Sequence, residues 1–301
     1  MNLIYKEKVV LGDKYNKTSK EDLFMAVCSG DIETVKKLIA AGANINTADI
    51  DGTTALMMSV TNTKTIYTDI TKFLIRKNAD ATLTNKAGKT AMHLLAISGN
   101  PSLIKPLINA GADINALNRN GYTPLLYTIN RKRFHMAQAL IENGANVHTL
   151  DFTGASCLHY AAEMGYLDFM ELLIKSGADI NLKDVNEWTP LNNTVLLKQD
   201  DATKLLISAG ADIHTANNKK RTLLHFAASD DNYEMMCTLI KAGANLYAQN
   251  QYGATPLDII KNGMSIAEQG NLIKLYKAVS TERLRLEDSK QSVCTGYNFD
   301  I

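Results

Sequence analysis

A short string, Gly-Ala-(Asp/Asn)-Ile or a near variant, recurs at Gly42, Gly111, Gly144, Gly177, Gly210 and Gly243. Asn78 fills the same slot in Asn78-Ala79-Asp80-Ala81, so the steps are 36 residues and then 33 five times. A second string, related to Thr-Pro-Leu-His, starts at Thr54, Thr90, Thr123, Ser156, Thr189, Thr222 and Thr255 with the same steps. Two markers in one register define a repeat array. A unit of this length cannot bury its apolar face alone, so neighbours must stack.

The residues predict what each unit builds. Thr123 offers a hydroxyl cap to a helix N-terminus, and Pro124 suits the first helical turn. Ser156, Thr189, Thr222 and Thr255 repeat the cap. A short apolar helix follows, as in Leu158-His159-Tyr160-Ala161-Ala162, and the small pair Ala161-Ala162 admits a close neighbour. Gly165 permits the reversal. A second helix carries Phe169, Met170, Leu172 and Leu173 at helical spacing. Gly177 supplies the positive φ that ends it. The linking stretch projects as a finger with a tight turn near Gly52, Gly88, Gly121, Gly154 or Gly253.

This pattern resembles the ankyrin repeat family, whose unit has the same period and the same capping tetrad. The resemblance implies an all-α fold, an ankyrin-repeat α-solenoid of stacked helix-turn-helix units with β-hairpin-like fingers and a concave face. It covers about eight units: 19–50, 51–86, 87–119, 120–152, 153–185, 186–218, 219–251 and 252–280. The first and last are terminal caps. Residues 1–18 form an N-terminal extension and 281–301 a C-terminal tail with no periodic apolar face.

Departures from the pattern carry expectations of their own. The insertion near Thr61-Asn62-Thr63-Lys64-Thr65 belongs in an inter-helix turn, which tolerates it best. Glu187 and Lys220 replace the finger glycine, which predicts a different turn shape there. Pro106 falls in the middle of a second helix and predicts a kink, whereas Pro101 follows a capping Asn100.

Composition narrows the function classes. The chain has 301 residues, 46% of them hydrophobic, and a formal net charge of +1. That supports a sizeable core and excludes a grossly basic nucleic-acid binder. Cys28, Cys157, Cys237 and Cys294 show no CxxC spacing, so no metal, cofactor or disulfide framework is expected. No apolar run approaches the ~20 residues that span a bilayer, and the charged start does not suit a secretory signal. A reducing cytoplasmic setting is expected, with delivery into a host cytosol as the alternative.

Catalytic constellations are not evident. His93, His159 and His225 recur in the last slot of the tetrad. They could act as bases, but the family pattern makes them ties between adjacent units. Cys157 lies two residues from His159, yet it occupies the proline slot, a packing position. Arg131-Lys132-Arg133 and Lys219-Lys220-Arg221 could meet phosphates; solvated turns are the simpler reading, and the second run could face an acidic peptide.

The fingers carry the candidate binding residues. The slot before the tetrad holds Thr53, Lys89, Tyr122, Ala155, Trp188, Arg221 and Ala254, and nearby slots add Phe152 and Tyr252. These positions are expected to be exposed, and exposed Tyr, Trp and Arg are typical of interface hot spots. Tyr122, Phe152, Trp188, Arg221 and Tyr252 are therefore the expected partner contacts. Trp188 leads them, with packing on the adjacent finger as its alternative. Tyr127, Tyr160 and Phe226, after the tetrad, are weighted toward core packing. Asn46, Asn115 and Asn181 resemble asparagines modified by asparaginyl hydroxylases, or make structural hydrogen bonds at their turns.

The expected function is non-catalytic protein–protein binding through the concave groove and finger tips, by a monomer, with no nucleic-acid partner. An adaptor or bacterial effector whose tail carries the output is one alternative. The terminal Tyr297-Asn298-Phe299-Asp300-Ile301 resembles a PDZ-domain ligand or an export signal. An enzyme with an unrecognised site is another alternative.

Overall fold

The computed structural model of the chain describes residues 18–260 and 264–294. The extension 1–17 and the Tyr297–Ile301 terminus lie outside the described residues. The chain divides into two compact units, one through Thr149 and one from Leu150.

The first unit contains α1 (Thr18–Ser29) and α2 (Ile32–Ala40), then α3 (Ala55–Ser59) and α4 (Thr65–Arg76). Next come α5 (Ala91–Ser98), a 3-10 turn at Pro101–Leu103 that leads into α6 (Ile104–Asn109), and the pair α7 (Pro124–Asn130) and α8 (Phe134–Glu142). The second unit repeats the plan. Its helices are α9 (Cys157–Glu163), α10 (Leu167–Lys175), α11 (Pro190–Leu196), α12 (Asp200–Ser208), α13 (Leu223–Ser229), α14 (Tyr233–Ala242), α15 (Pro256–Ile260) and α16 (Ile266–Cys294).

Each short inner helix begins where a Thr or Ser can cap it. Thr54 accepts from the N–H of Met57 at 3.2 Å, and Thr123 from that of Leu126 at 3.2 Å. The apolar residues then fall on the faces that stack. In the second unit α9 packs on α10 and α11, α11 on α13, and α13 on α15. Leu158, Ala161, Ala162, Met170, Leu173, Leu191, Leu206, Leu224 and Leu239 are almost wholly buried between them. The missing bulk at Ala161 and Ala162 is what lets α11 approach α9. The outer helices close with a residue of positive φ. Gly177 has φ +87°, and the following N–H of Ala178 bonds the carbonyl of Leu173 at 3.0 Å.

Two expectations are corrected. The fingers at Glu187 and Lys220 do not differ in shape: their φ values of +65° and +54° match the +73° to +78° of the finger glycines. The flanking hydrogen bonds impose that conformation on a residue with a Cβ. Pro106 kinks no helix. The 3-10 turn takes up Pro101–Leu103, so α6 starts at Ile104 and Pro106 sits in its first turn, where no intrahelical N–H is required. α16 runs on from the last repeat through 281 to Cys294; the segment is rich in Leu, Arg, Glu and Lys, which favour helix. The insertion at 61–65 falls at the turn between α3 and α4, as expected, with Thr65 opening α4.

Candidate functional site

The fingers are built on an Asp or Asn three residues before the turn position. Asp49, Asn85, Asn118, Asp151, Asp184, Asn217 and Asn250 each occupy this place. In every case the side-chain oxygen accepts from the backbone N–H four residues on: Thr53 at 2.8 Å, Lys89 at 3.0 Å, Tyr122 at 2.9 Å, Ala155 at 3.0 Å, Trp188 at 3.0 Å, Arg221 at 3.0 Å and Ala254 at 3.2 Å. The backbone N–H of the same Asp or Asn bonds the carbonyl of that fourth residue, at 2.9–3.1 Å. Side chain and main chain thus close each loop twice, and the fingers are rigid before any partner arrives.

Adjacent fingers are tied together within each unit. In the first, the N–H of Lys86 bonds the carbonyl of Asp51 at 2.8 Å and that of Arg119 bonds Ala87 at 3.2 Å. In the second, Val185 bonds Thr153 at 3.0 Å and Gln251 bonds Lys219 at 2.9 Å. The tetrad histidines add a second tie, as expected. Nδ1 of His93, His159 and His225 accepts the N–H of Thr90, Ser156 and Thr222, each at 3.1 Å. That fixes the hydrogen on Nε2, which donates to the carbonyls of Tyr122, Trp188 and Ala254 at 2.9–3.0 Å. Burial lowers the pKa of all three rings and keeps them neutral. They hold the scaffold together, and no polar contact is left for base chemistry. Cys157 is buried and its thiol is pushed up to about 12 by desolvation, which makes it inert at neutral pH.

The slot before the tetrad is not exposed. Tyr122, Trp188 and Arg221 are half-buried, as are Thr53, Lys89, Ala155 and Ala254. The reason is a sandwich over the residue that follows the tetrad. In the first unit the Tyr127 ring meets Tyr122 edge-on at 6.1 Å, and Lys89 Nζ lies 4.7 Å from its centroid. In the second, the Arg221 guanidinium lies 4.4 Å from the Phe226 centroid, with Trp188 6.1 Å away on a tilted ring. Arg221 also donates to Ser229 Oγ at 2.7 Å. Each aromatic is therefore held by the finger of its own repeat and by that of the repeat before. Tyr127 and Tyr160 add hydroxyl bonds to Asn118 and Asp151, at 2.8 and 2.6 Å. Tyr127, Tyr160 and Phe226 are half-buried finger supports rather than deep core.

The tips are exposed instead. Phe152 is 70% exposed and Tyr252 76%, both in the second unit. Val185, at the position in its finger that Phe152 holds in the preceding one, is 68% exposed, and sequence reasoning passed over it. The periodic Asp/Asn would have revealed it, since the next residue is Ile50, Phe152 or Val185 in three fingers. A cleft of about 380 Å³ opens beside Val185, lined also by Asn186, Trp188, Asn217, Asn218 and Lys219. So the second unit gathers Phe152, Trp188, Arg221 and Tyr252 on its fingers, while Tyr122 belongs to the first unit.

Asn46, Asn115 and Asn181 make structural bonds between repeats. Their Oδ1 atoms accept from the N–H of Asp80, Asn146 and Asp212 at 2.9, 2.8 and 2.8 Å. Among the described residues no His, Cys, Asp and Glu group is placed to hold a metal ion. No helix among them is long and apolar enough to cross a membrane.

The sequence matches the profile of ankyrin repeats in three copies over residues 23–118 and 92–184, and of ankyrin repeats in many copies over 206–260. No match to a curated protein was found. Among solved structures it is similar to the ankyrin repeat domain of Bcl-3, described as a unique member of the IkappaB protein family, with 21% identity and a TM-score of 0.62. That likeness covers 87% of this chain and 99% of the other, and it bears on the fold alone. With the two profiles spanning most of the chain, the repeat register and the finger geometry have one explanation: this chain belongs to the ankyrin repeat family.

Proposed function

We propose that this protein is a non-catalytic scaffold that holds a protein partner along the finger edge of its second unit. Ankyrin repeats are in general protein–protein interaction modules. The observation that carries the reading is the exposure of Phe152 and Tyr252 at the tips of fingers whose loops are each closed by paired hydrogen bonds. Large aromatics on a rigid support give contact area with little ordering entropy to oppose binding. Trp188 and Arg221 contribute their outer edges and fix the surface between the tips.

The test is affinity capture from cell extract with mass-spectrometric identification, comparing wild type with a Phe152→Ser/Tyr252→Ser variant of matching helical circular dichroism. A protein held by wild type and lost by the variant supports the proposal. Identical captures from both refute it.

A further inference from the structure

The cleft at Val185 and Trp188 has a polarity that selects its occupant. Its apolar lining comes from Val185 and Trp188, and its polar lining from Asn186, Asn217, Asn218 and Lys219. Asn217 Oδ1 already accepts from the N–H groups of Lys219 and Arg221, at 3.0 Å each, which leaves its NH₂ as a donor. None of the lining side chains is acidic.

The surrounding charges reinforce this. Lys183 is neutralised by Glu187, 3.0 Å away. Asp184 directs Oδ1 at the N–H groups of Asn186 and Trp188, within its own loop. Lys219 and Lys220 are exposed and form no ion pair among the described residues. A cleft lined by two apolar side chains, amide donors and the ammonium of Lys219, with Lys220 as the next residue, complements an anionic, partly apolar chain. At about 380 Å³ it accepts one or two side chains rather than a folded surface.

We infer that the cleft between the 184–188 and 217–221 fingers binds an acidic peptide segment, seating an apolar side chain against Val185 and Trp188 and an adjacent carboxylate on Lys219, with Lys220 adding positive charge next to it in sequence. The inference rests on the finger edge being protein-binding, and it names the partner's local chemistry. The carboxamides would then meet the peptide backbone. Arg221 stays on Phe226.

A random peptide library displayed on phage tests it, selected on the full-length protein and in parallel on a Lys219→Glu/Lys220→Glu variant. Both lysines are exposed, and Glu187 shows that glutamate is accepted at the equivalent of position 220. The most enriched peptide is then titrated while following Trp188, the single tryptophan of the chain. The expected result is enrichment of Asp or Glu beside an apolar residue, a saturable change in Trp188 emission, and binding weakened on the order of tenfold by the charge reversal and by added salt. Several results would overturn it: no enrichment, neutral or basic winners, acidic winners that bind both proteins equally, or winners that leave Trp188 emission unchanged. So would oligothymidine binding at Trp188 more tightly than any peptide. A partner captured through Phe152 and Tyr252 but indifferent to the charge reversal leaves the scaffold reading standing and removes this one.

Discussion

Nε2 of His159 donates to the carbonyl oxygen of Trp188 across 3.0 Å, joining the capping tetrad of one repeat to the finger of the next. The same ring accepts the N–H of Ser156 at Nδ1, so a second proton has no place to go without breaking a bond. Burial lowers its pKa below the ordinary 6.5, outweighing the Trp188 carbonyl and the carboxylates of Asp184 and Asp151. His93 and His225 are lowered by burial too.

These rings make stability depend on pH. With folded pKa values below 6.5, the unfolded chain binds the proton first, so the contribution is complete above pH 6.5. It is lost as pH falls through the lowered folded values. Urea midpoints are expected to drop on acidification below pH 6.5, with a shallower drop in His159→Asn. Asn192 shows that Asn can keep the cap bonds, accepting from the Thr189 N–H at 2.9 Å. A pH profile identical in wild type and variant would contradict this role.

The turn position of the fingers separates two effects. A Cβ on Gly88 would sit 2.8 Å from the backbone nitrogen of Arg119, at φ +73°. Gly88→Ala is therefore expected to destabilise by about 1–3 kcal/mol. Lys220 already holds a positive φ of +54°, so Lys220→Gly relieves strain and is expected to stabilise by about 0.5–1 kcal/mol. Chemical denaturation of both variants checks the opposite signs.

Asp151 is the centre of its finger. Its carboxylate accepts from the Thr153 and Ala155 N–H groups, the Thr153 hydroxyl at 2.7 Å and the Tyr160 hydroxyl at 2.6 Å. Burial raises its pKa, but these bonds outweigh it and the net shift is downward. Asp151→Ala leaves several donors without an acceptor and is expected to cost about 2–3 kcal/mol. Asp151→Asn is expected to cost less than about 1 kcal/mol, because Asn118 and Tyr127 already make the same contact with the amide as donor. Equal losses in the two variants would contradict this, showing that the neutral amide cannot stand in for the carboxylate in the bond network.

The repeat register, the capping Thr and Ser residues and the tetrad histidines were all legible in the sequence, because each depends on local bonds at fixed spacing. What escaped depends on competition between neighbours. Glu187 and Lys220 look like departures until the doubly bonded loop is seen to force any residue there into positive φ. Pro106 looks like a helix breaker until the 3-10 turn shifts the start of α6. Trp188 and Arg221 look exposed by position, but each folds over Phe226 from a different repeat. Phe152 and Tyr252 were legible as exposed finger residues, whereas Val185, in the slot after the periodic Asp or Asn, was passed over.

The finger edge as a binding surface is tested most directly by titrating the captured partner against three proteins: wild type, Phe152→Ser/Tyr252→Ser, and a Glu171→Gln/Lys175→Gln control on α10. Affinity is expected to fall at least about tenfold in the finger variant and to stay unchanged in the control. Equal affinity for wild type and finger variant, with both folded, would contradict a partner site on the fingers of the second unit.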